Sequence, residues 1–150
     1  MRESVAIVVV LYKAEMSVYH ERLLEDEMVT LVVVDNTPDR DLALKKDRLI
    51  YVPLQRNMGI ATAQNEGIRQ AECLGCDYII FFDQDSKIPE RYSEGIIEEY
   101  KRIEQLIPNL FLLGPTIING RTEEEYKSTI HKDIWLSLIH ISEPTRPRLI

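Results

Sequence analysis

The chain has 150 residues, of which 45% are hydrophobic, and its formal net charge is -7. This length suffices for one globular domain with a sizeable core. The negative charge argues against a nucleic-acid partner, because proteins that bind nucleic acid attract its phosphates with clustered Lys and Arg.

The first third of the chain alternates strands with an amphipathic helix. Met16, Tyr19, Leu23 and Leu24 recur at helical spacing, so we predict a helix that ends near Asp26. His20 lies on this charged helix, and we expect it to be exposed rather than catalytic. Continuous β-branched runs at Val5–Leu11 and Val29–Asp35 predict strands buried on both faces. A weaker run at Leu49–Val52 predicts a third strand.

The middle of the chain continues the same alternation. A loop over residues 55–59 leads into a helix that runs to about Leu74, with Gly75 as its cap. Gly67 and its small neighbours on that helix would let backbone or ligand approach closely. The remaining predicted elements are a fourth strand at Tyr78–Phe82, a helix over residues 89–107 opened by Pro89, and a fifth strand at Leu110–Gly114.

This order predicts an α/β fold with a mostly parallel, doubly wound sheet and helices on both faces. In such sheets, ligands bind outside the carboxyl ends of the strands. Polar or flexible residues follow each predicted strand, and we expect them to converge on that edge. They are Tyr12, Asp35, Asn57, Gly59, Asp83 and Asp85.

Asp83 and Asp85 form an Asp-x-Asp pair at the end of an unbroken apolar strand. Two carboxylates at the mouth of a sheet can hold a divalent metal or a ribose hydroxyl, and their oxygens suit Mg2+ or Mn2+. An acidic protein that binds a phosphate ester needs such a cation as a bridge. Three alternatives stay open: a phosphatase, although Lys87 replaces the expected Thr; an EF-hand, although Ile88 replaces the required Gly; and a solvated turn.

The rest of the sequence argues against several other functional classes. No Gly-x-Gly-x-x-Gly follows the first strand and no Walker A loop occurs, which disfavours nicotinamide enzymes and P-loop NTPases. Cys73 and Cys76 fall at the end of a predicted helix, so we interpret them as structural thiols in a reducing compartment. His131 and His140 lie in a poorly patterned tail. The run Val5–Leu11 is too short to span a bilayer and lacks a basic leader, so we expect a cytoplasmic protein.

Four motifs occur in order along the chain: the first strand through Tyr12, the segment Val32–Thr37, the segment Asn57–Gly67 and the segment Phe81–Ser86. Together they resemble the family 2 glycosyltransferases of GT-A fold, over residues 5 to about 118. The form Asp-Gln-Asp-Ser is most similar to bacterial rhamnosyltransferases.

The resemblance implies roles for the residues at the sheet edge. Tyr12 and Asp35 would line the base pocket, Asp83 would meet the ribose, and Asp85 would ligate Mg2+ or Mn2+ on the donor diphosphate. We also expect Asn57 and Gly59 to take part in nucleotide binding. The implied reaction transfers a sugar, with inversion, from dTDP-rhamnose or a UDP-sugar to a polysaccharide or lipid-linked acceptor. A lipid-linked acceptor would place the protein peripherally at the inner face of the cell membrane.

The carboxylate base that the family uses lies in a second half that nothing here matches. We therefore expect residues 1–135 to be the nucleotide-sugar-binding part, inactive alone. Residues 136–150 resemble translated sequencing-adaptor read-through, and we expect them to be non-native or disordered. A truncated sheet would expose apolar surface and favour self-association. The competing hypothesis is a non-catalytic α/β interaction module with an acidic turn.

Overall fold

The computed structural model describes residues 3–107, 109–114 and 148–149. A short 3-10 turn at Leu23–Glu25 follows the first helix. The helices are α1 (Val18–Arg22), α2 (Ile60–Leu74) and α3 (Tyr92–Glu104). The strands are β1 (Val5–Leu11), β2 (Val29–Asp35), β3 (Leu49–Pro53), β4 (Tyr78–Phe82) and β5 (Arg148–Leu149).

The strands form one sheet in the order β3-β2-β1-β4-β5, with every pairing between them parallel. The chain first winds outward from β1 to β3 and then returns to β4 on the other side of β1. This reversal of direction beside β1 is the topological switch point at which doubly wound folds bind ligands. The predicted doubly wound, parallel α/β architecture is confirmed.

Helices cover both faces of the sheet. On one face, α2 packs against β1 and β2 through the small side chains of Ala63 and Ala71. On the other face, Leu23 from the 3-10 turn and Ile96, Ile97 and Tyr100 from α3 pack against the opposite side chains of the same strands. Because β1 and β2 are buried on both sides, their sequences are continuously apolar rather than alternating.

α2 approaches the sheet closely because Gly67 has no side chain. A Cβ at this position would lie 2.3 Å from Cγ1 of Val8 on β1. The helix ends at Gly75, which adopts the left-handed conformation with φ of 69° that the sequence predicts for a glycine cap.

The segment after β4 departs from the predictions. α3 begins at Tyr92 rather than near Pro89, because Arg91 adopts a left-handed conformation with φ of 56°. The helix ends at Glu104, before Ile107. The predicted fifth strand is wrong: residues 110–114 pair with no strand, and it is β5 that extends the sheet beside β4.

The segment over residues 110–113 instead packs in part against the core. The hydroxyl of Tyr100 donates to the carbonyl of Leu110, and Leu110 and Leu113 pack against the α3 face. Phe111 and Leu112 remain exposed. An apolar run of this length is therefore compatible with either a strand or a covering segment, and periodicity cannot separate the two.

Both cysteines are free thiols, with Cys76 buried and Cys73 exposed. Burial raises the pKa of Cys76, which disfavours a reactive thiolate. Across the part of the chain that the structure describes, no helix is long and apolar enough to cross a membrane. His131 and His140 lie outside the described residues, as does most of the predicted tail.

Candidate functional site

Asp83 and Asp85 lie in a tight turn directly after β4. The amide of Ser86 donates to the carbonyl of Asp83 at 3.0 Å and closes the turn. Both aspartates are exposed, and no described residue donates a hydrogen bond to either carboxylate. We call residues 83–86 the acidic turn. Two exposed carboxylates at the carboxyl edge of the sheet are available to a ligand from solvent.

Gln84 fastens the acidic turn to the end of β1. Its Oε1 accepts a hydrogen bond from the amide of Tyr12 at 2.9 Å. Tyr12 is 38% exposed, and the ammonium of Lys13 lies 5.3 Å from the centroid of its ring. The structure therefore places Tyr12 beside the acidic turn, at the edge where the sequence predicts both.

Asp35 is the centre of a buried hydrogen-bond network at the end of β2. Its side chain has no solvent exposure. Arg40 donates to both carboxylate oxygens, at 2.6 and 2.9 Å, and the hydroxyl of Tyr51 donates at 2.7 Å. The amide of Thr37 donates to the same carboxylate at 3.0 Å. Asp35 therefore joins the β2 end to β3 and to the loop that carries Arg40.

The network sets the ionisation of its members. Burial alone raises the pKa of Asp35, but the hydrogen bonds from Arg40, Tyr51 and Thr37 outweigh it and lower the pKa below its ordinary value. Burial, together with the bond to the Asp35 carboxylate, raises the pKa of Tyr51 to about 12. Asp35 is accordingly a carboxylate at neutral pH, compensated by the guanidinium of Arg40.

Asn36 organises the loop that precedes α2. Its amide nitrogen donates to the side chain of Asn57 at 3.1 Å, and its Oδ1 accepts from the amide of Met58 at 2.7 Å. Asn57 in turn accepts from the amide of Gly59 at 3.0 Å. Asn36 is almost fully buried, so its amide is committed to shaping this loop.

Asn36 was not among the predicted site residues. The available signal was its place after a buried strand, within the Asp-Asn-Thr segment. Its bridging role depends on a residue 21 positions away, which the sequence alone does not bring near.

Two further contacts connect the halves of the edge. The amide of Lys13 donates to Oγ1 of Thr37 at 2.8 Å, and Nη2 of Arg40 donates to the carbonyl of Ala14 at 2.7 Å. These bonds tie the segment after β1 to the segment after β2. The predicted residues consequently fall into two groups, Tyr12 with the acidic turn and Asp35 with Asn57 and Gly59, joined through residues 13–14.

His20 is buried, and the prediction that it is exposed is wrong. It is the third residue of α1, and its Nδ1 accepts from the amide of Ser17 at 3.2 Å, while the hydroxyl of Ser17 accepts from the amide of His20. This reciprocal cap turns the imidazole into the core, where it has no solvent exposure. Burial lowers the pKa of His20, so the ring is neutral at pH 7.

The donor set fits a hard divalent cation that shares its coordination with a ligand. Within residues 3–107, 109–114 and 148–149, no cluster of three or more His, Cys, Asp or Glu side chains could hold a metal alone. Mg2+ is commonly held by one or two carboxylates together with substrate phosphates and water, rather than by an all-protein cage. Asp83 and Asp85 match that arrangement and do not match a closed calcium loop.

Comparisons with known proteins identify the family of the chain. The sequence model of glycosyl transferase family 2 matches residues 11–138. The dTDP-rhamnosyl transferase RfbF of Shigella flexneri is 31% identical to the chain over 153 residues, which cover 98% of the chain and 50% of that protein. The chain thus spans about half the length of this relative. With a family match over most of its length and with the acidic turn at the switch point, the chain belongs to glycosyl transferase family 2.

Proposed function

We propose that the chain is the nucleotide-sugar-binding part of a glycosyltransferase, and that its donor is dTDP-rhamnose or, failing that, a UDP-sugar. The observation that carries this proposal is the acidic turn, whose two carboxylates are exposed at the carboxyl edge of the sheet in a family 2 chain. The similarity to a dTDP-rhamnosyl transferase supports the choice of donor.

The roles of the residues follow from their exposure. The accessible ring of Tyr12 offers a stacking surface for the pyrimidine base. Asp83, closest to the sheet, would accept a hydrogen bond from the ribose, and Asp85 would bind Mg2+ or Mn2+. Asp35 is buried and compensated, so we assign it to the wall of the base pocket through the loops that it fixes.

The loop from Asn57 to Gly59 would serve the diphosphate. Gly59 has a φ of 80° and nothing within 4 Å of the place where a Cβ would stand, so a phosphate can approach its backbone. α2 begins immediately afterwards, and its N-terminal amides carry a partial positive charge that favours anions. When bound, Mg2+ or Mn2+ would stabilise the charge that develops on the leaving diphosphate.

The chemistry of the transfer indicates what the acceptor side of the reaction requires. The proposed inverting transfer requires a base that removes the proton from the acceptor hydroxyl. Asp83 and Asp85 are committed to the donor, so we assign this role to a carboxylate outside the acidic turn. We propose a saccharide or lipid-linked acceptor, and a lipid-linked one would hold the protein peripherally at the cytoplasmic face of the membrane.

The test is binding of dTDP with and without Mn2+, measured by calorimetry and by thermal unfolding. The intact chain should bind Mn2+ and dTDP together more tightly than either alone, and at a hundredfold excess over Kd the ligands should stabilise it by about 2.7 kcal/mol. Asp85→Asn keeps the shape of the side chain and removes its charge. It should reduce the Mn2+-dependent affinity by about tenfold or more, the loss expected for a hydrogen-bonded or metal-bound charge.

Asp47→Asn is the matched control, because its carboxylate is 95% exposed just before β3, at the opposite edge of the sheet. It should leave Mn2+-dependent binding unchanged. Binding of dTDP that is insensitive to Mn2+, or an Asp85→Asn variant that behaves like Asp47→Asn, would contradict the proposal and favour a turn with no ligand.

A further inference from the structure

His20 carries a buried ring nitrogen that the fold leaves unsatisfied. The imidazole has no solvent exposure, and among the described residues its Nε2 has no hydrogen-bond partner. The main chain of Asp83 raises the pKa of the ring, against the larger effect of burial, which lowers it. Buried polar atoms are nearly always satisfied, so this orphan atom calls for an explanation.

The tautomer of His20 follows from its other nitrogen. Nδ1 accepts the amide proton of Ser17, so Nδ1 carries the lone pair and the neutral ring must carry its proton on Nε2. Nε2 is therefore a donor. The main chain of Asp83 is the polar group that acts on the ring, and its carbonyl accepts one hydrogen bond from Ser86 and has a second lone pair.

We propose that His20 is a positioning residue that supports the acidic turn from below, with Nε2–H donating to the carbonyl of Asp83. Gln84 fastens the same turn to β1 from the side. The two contacts together fix the height and the tilt of the turn, and thereby the direction of the Asp83 and Asp85 carboxylates. The consequence for metal and nucleotide rests on the proposed function, whereas the support of the turn does not.

Three variants separate support of the turn from capping of α1. His20→Gln retains both functions, because a glutamine at the third helical position can accept from the Ser17 amide and also donate. His20→Leu removes the donor and the cap acceptor. Ser17→Ala weakens the cap but leaves the imidazole in place.

The first readout needs no ligand: it is the rate of solvent exchange of the Ser86 amide, measured by NMR. His20→Leu should speed exchange by roughly fivefold, as expected for the loss of one hydrogen bond, while His20→Gln and Ser17→Ala stay near the rate of the unmodified protein. An unchanged rate in His20→Leu, or an equal acceleration in Ser17→Ala, would overturn the inference.

The second readout is the affinity for Mn2+ with dTDP. His20→Leu should weaken it by roughly fivefold, and His20→Gln should restore it. If the unmodified protein binds neither, the proposed function fails, while the Ser86 exchange rate still decides the role of His20. Should His20→Leu not fold, the nitrogen shifts of His20 in the unmodified protein decide instead: a proton on Nε2 supports the inference, and one on Nδ1 overturns it.

Discussion

At the scale of single residues, the site depends on side chains that shape loops as much as on those that face solvent. Asp35 and Asn36 are adjacent and buried, and their side chains form hydrogen bonds to two different loops. The sequence predicts an acid at the end of β2, but not that Arg40 and Tyr51 enclose it. Those partners come from separate segments, and local patterns carry no information about such contacts.

Asp35→Asn should lower the free energy of unfolding at neutral pH by about 3 to 5 kcal/mol, because it leaves the guanidinium of Arg40 without its buried counter-charge. Since the native pKa of Asp35 lies below its ordinary value, its contribution is present above the unfolded pKa, about 3.9. It is lost as the pH falls through the native pKa.

Acid titration of chemical denaturation checks this prediction. The free energy of unfolding of the unmodified protein should fall below about pH 4, and it should fall less steeply with pH in Asp35→Asn. Asp47→Asn, which changes an exposed carboxylate, should stay within about 0.5 kcal/mol of the unmodified protein. An equally steep fall with pH in the unmodified and Asp35→Asn proteins would show that another group causes the loss of stability in acid.

At the scale of elements, the strands are the most predictable part of the molecule. Strands β1, β2 and β4 coincide with their predicted bounds, since a strand covered on both faces must be apolar throughout. Helix ends are less predictable. α3 begins three residues after Pro89 because Arg91 turns the chain, and nothing in its composition marks that conformation.

Gly67→Ala should destabilise the protein by about 1 to 3 kcal/mol, because its Cβ would overlap Val8 unless α2 moves away from the sheet. The matched control is Gly95→Ala in α3, where nothing lies within 4 Å of the added Cβ. That change should stabilise the protein by about 0.5 to 1 kcal/mol through helix propensity. Equal effects of the two substitutions in denaturant unfolding would contradict the close packing of α2 on β1.

At the scale of the whole molecule, four exposed apolar side chains follow the end of α3, and we call them the apolar patch. It comprises Leu106, Ile107, Phe111 and Leu112, which are 50 to 71% exposed. The sequence predicts exposed apolar surface on the sheet itself. Among the described residues, these four make up half of the large hydrophobic side chains that are exposed. Exposed apolar patches favour association.

We expect the protein to self-associate through this patch, and Leu106→Lys should shift sedimentation towards the monomer. Leu74→Lys is the matched control, since Leu74 ends α2, is 46% exposed and makes the same change of charge. A clean monomer at every concentration tested would contradict the expectation. So would an equal shift in both variants.

The sequence by itself determined the order of the elements up to α3, the parallel sheet and the edge at which the candidate site residues lie. The elements and the sheet follow from local hydrophobic periodicity, and the placement of the candidate residues follows because they lie at the carboxyl ends of parallel strands. Only the tertiary structure decided that His20 is buried, that Asn36 holds the loop of Asn57, and that residues 110–113 form no strand. Each of these depends on contacts between distant segments, which only the packing of the folded chain creates.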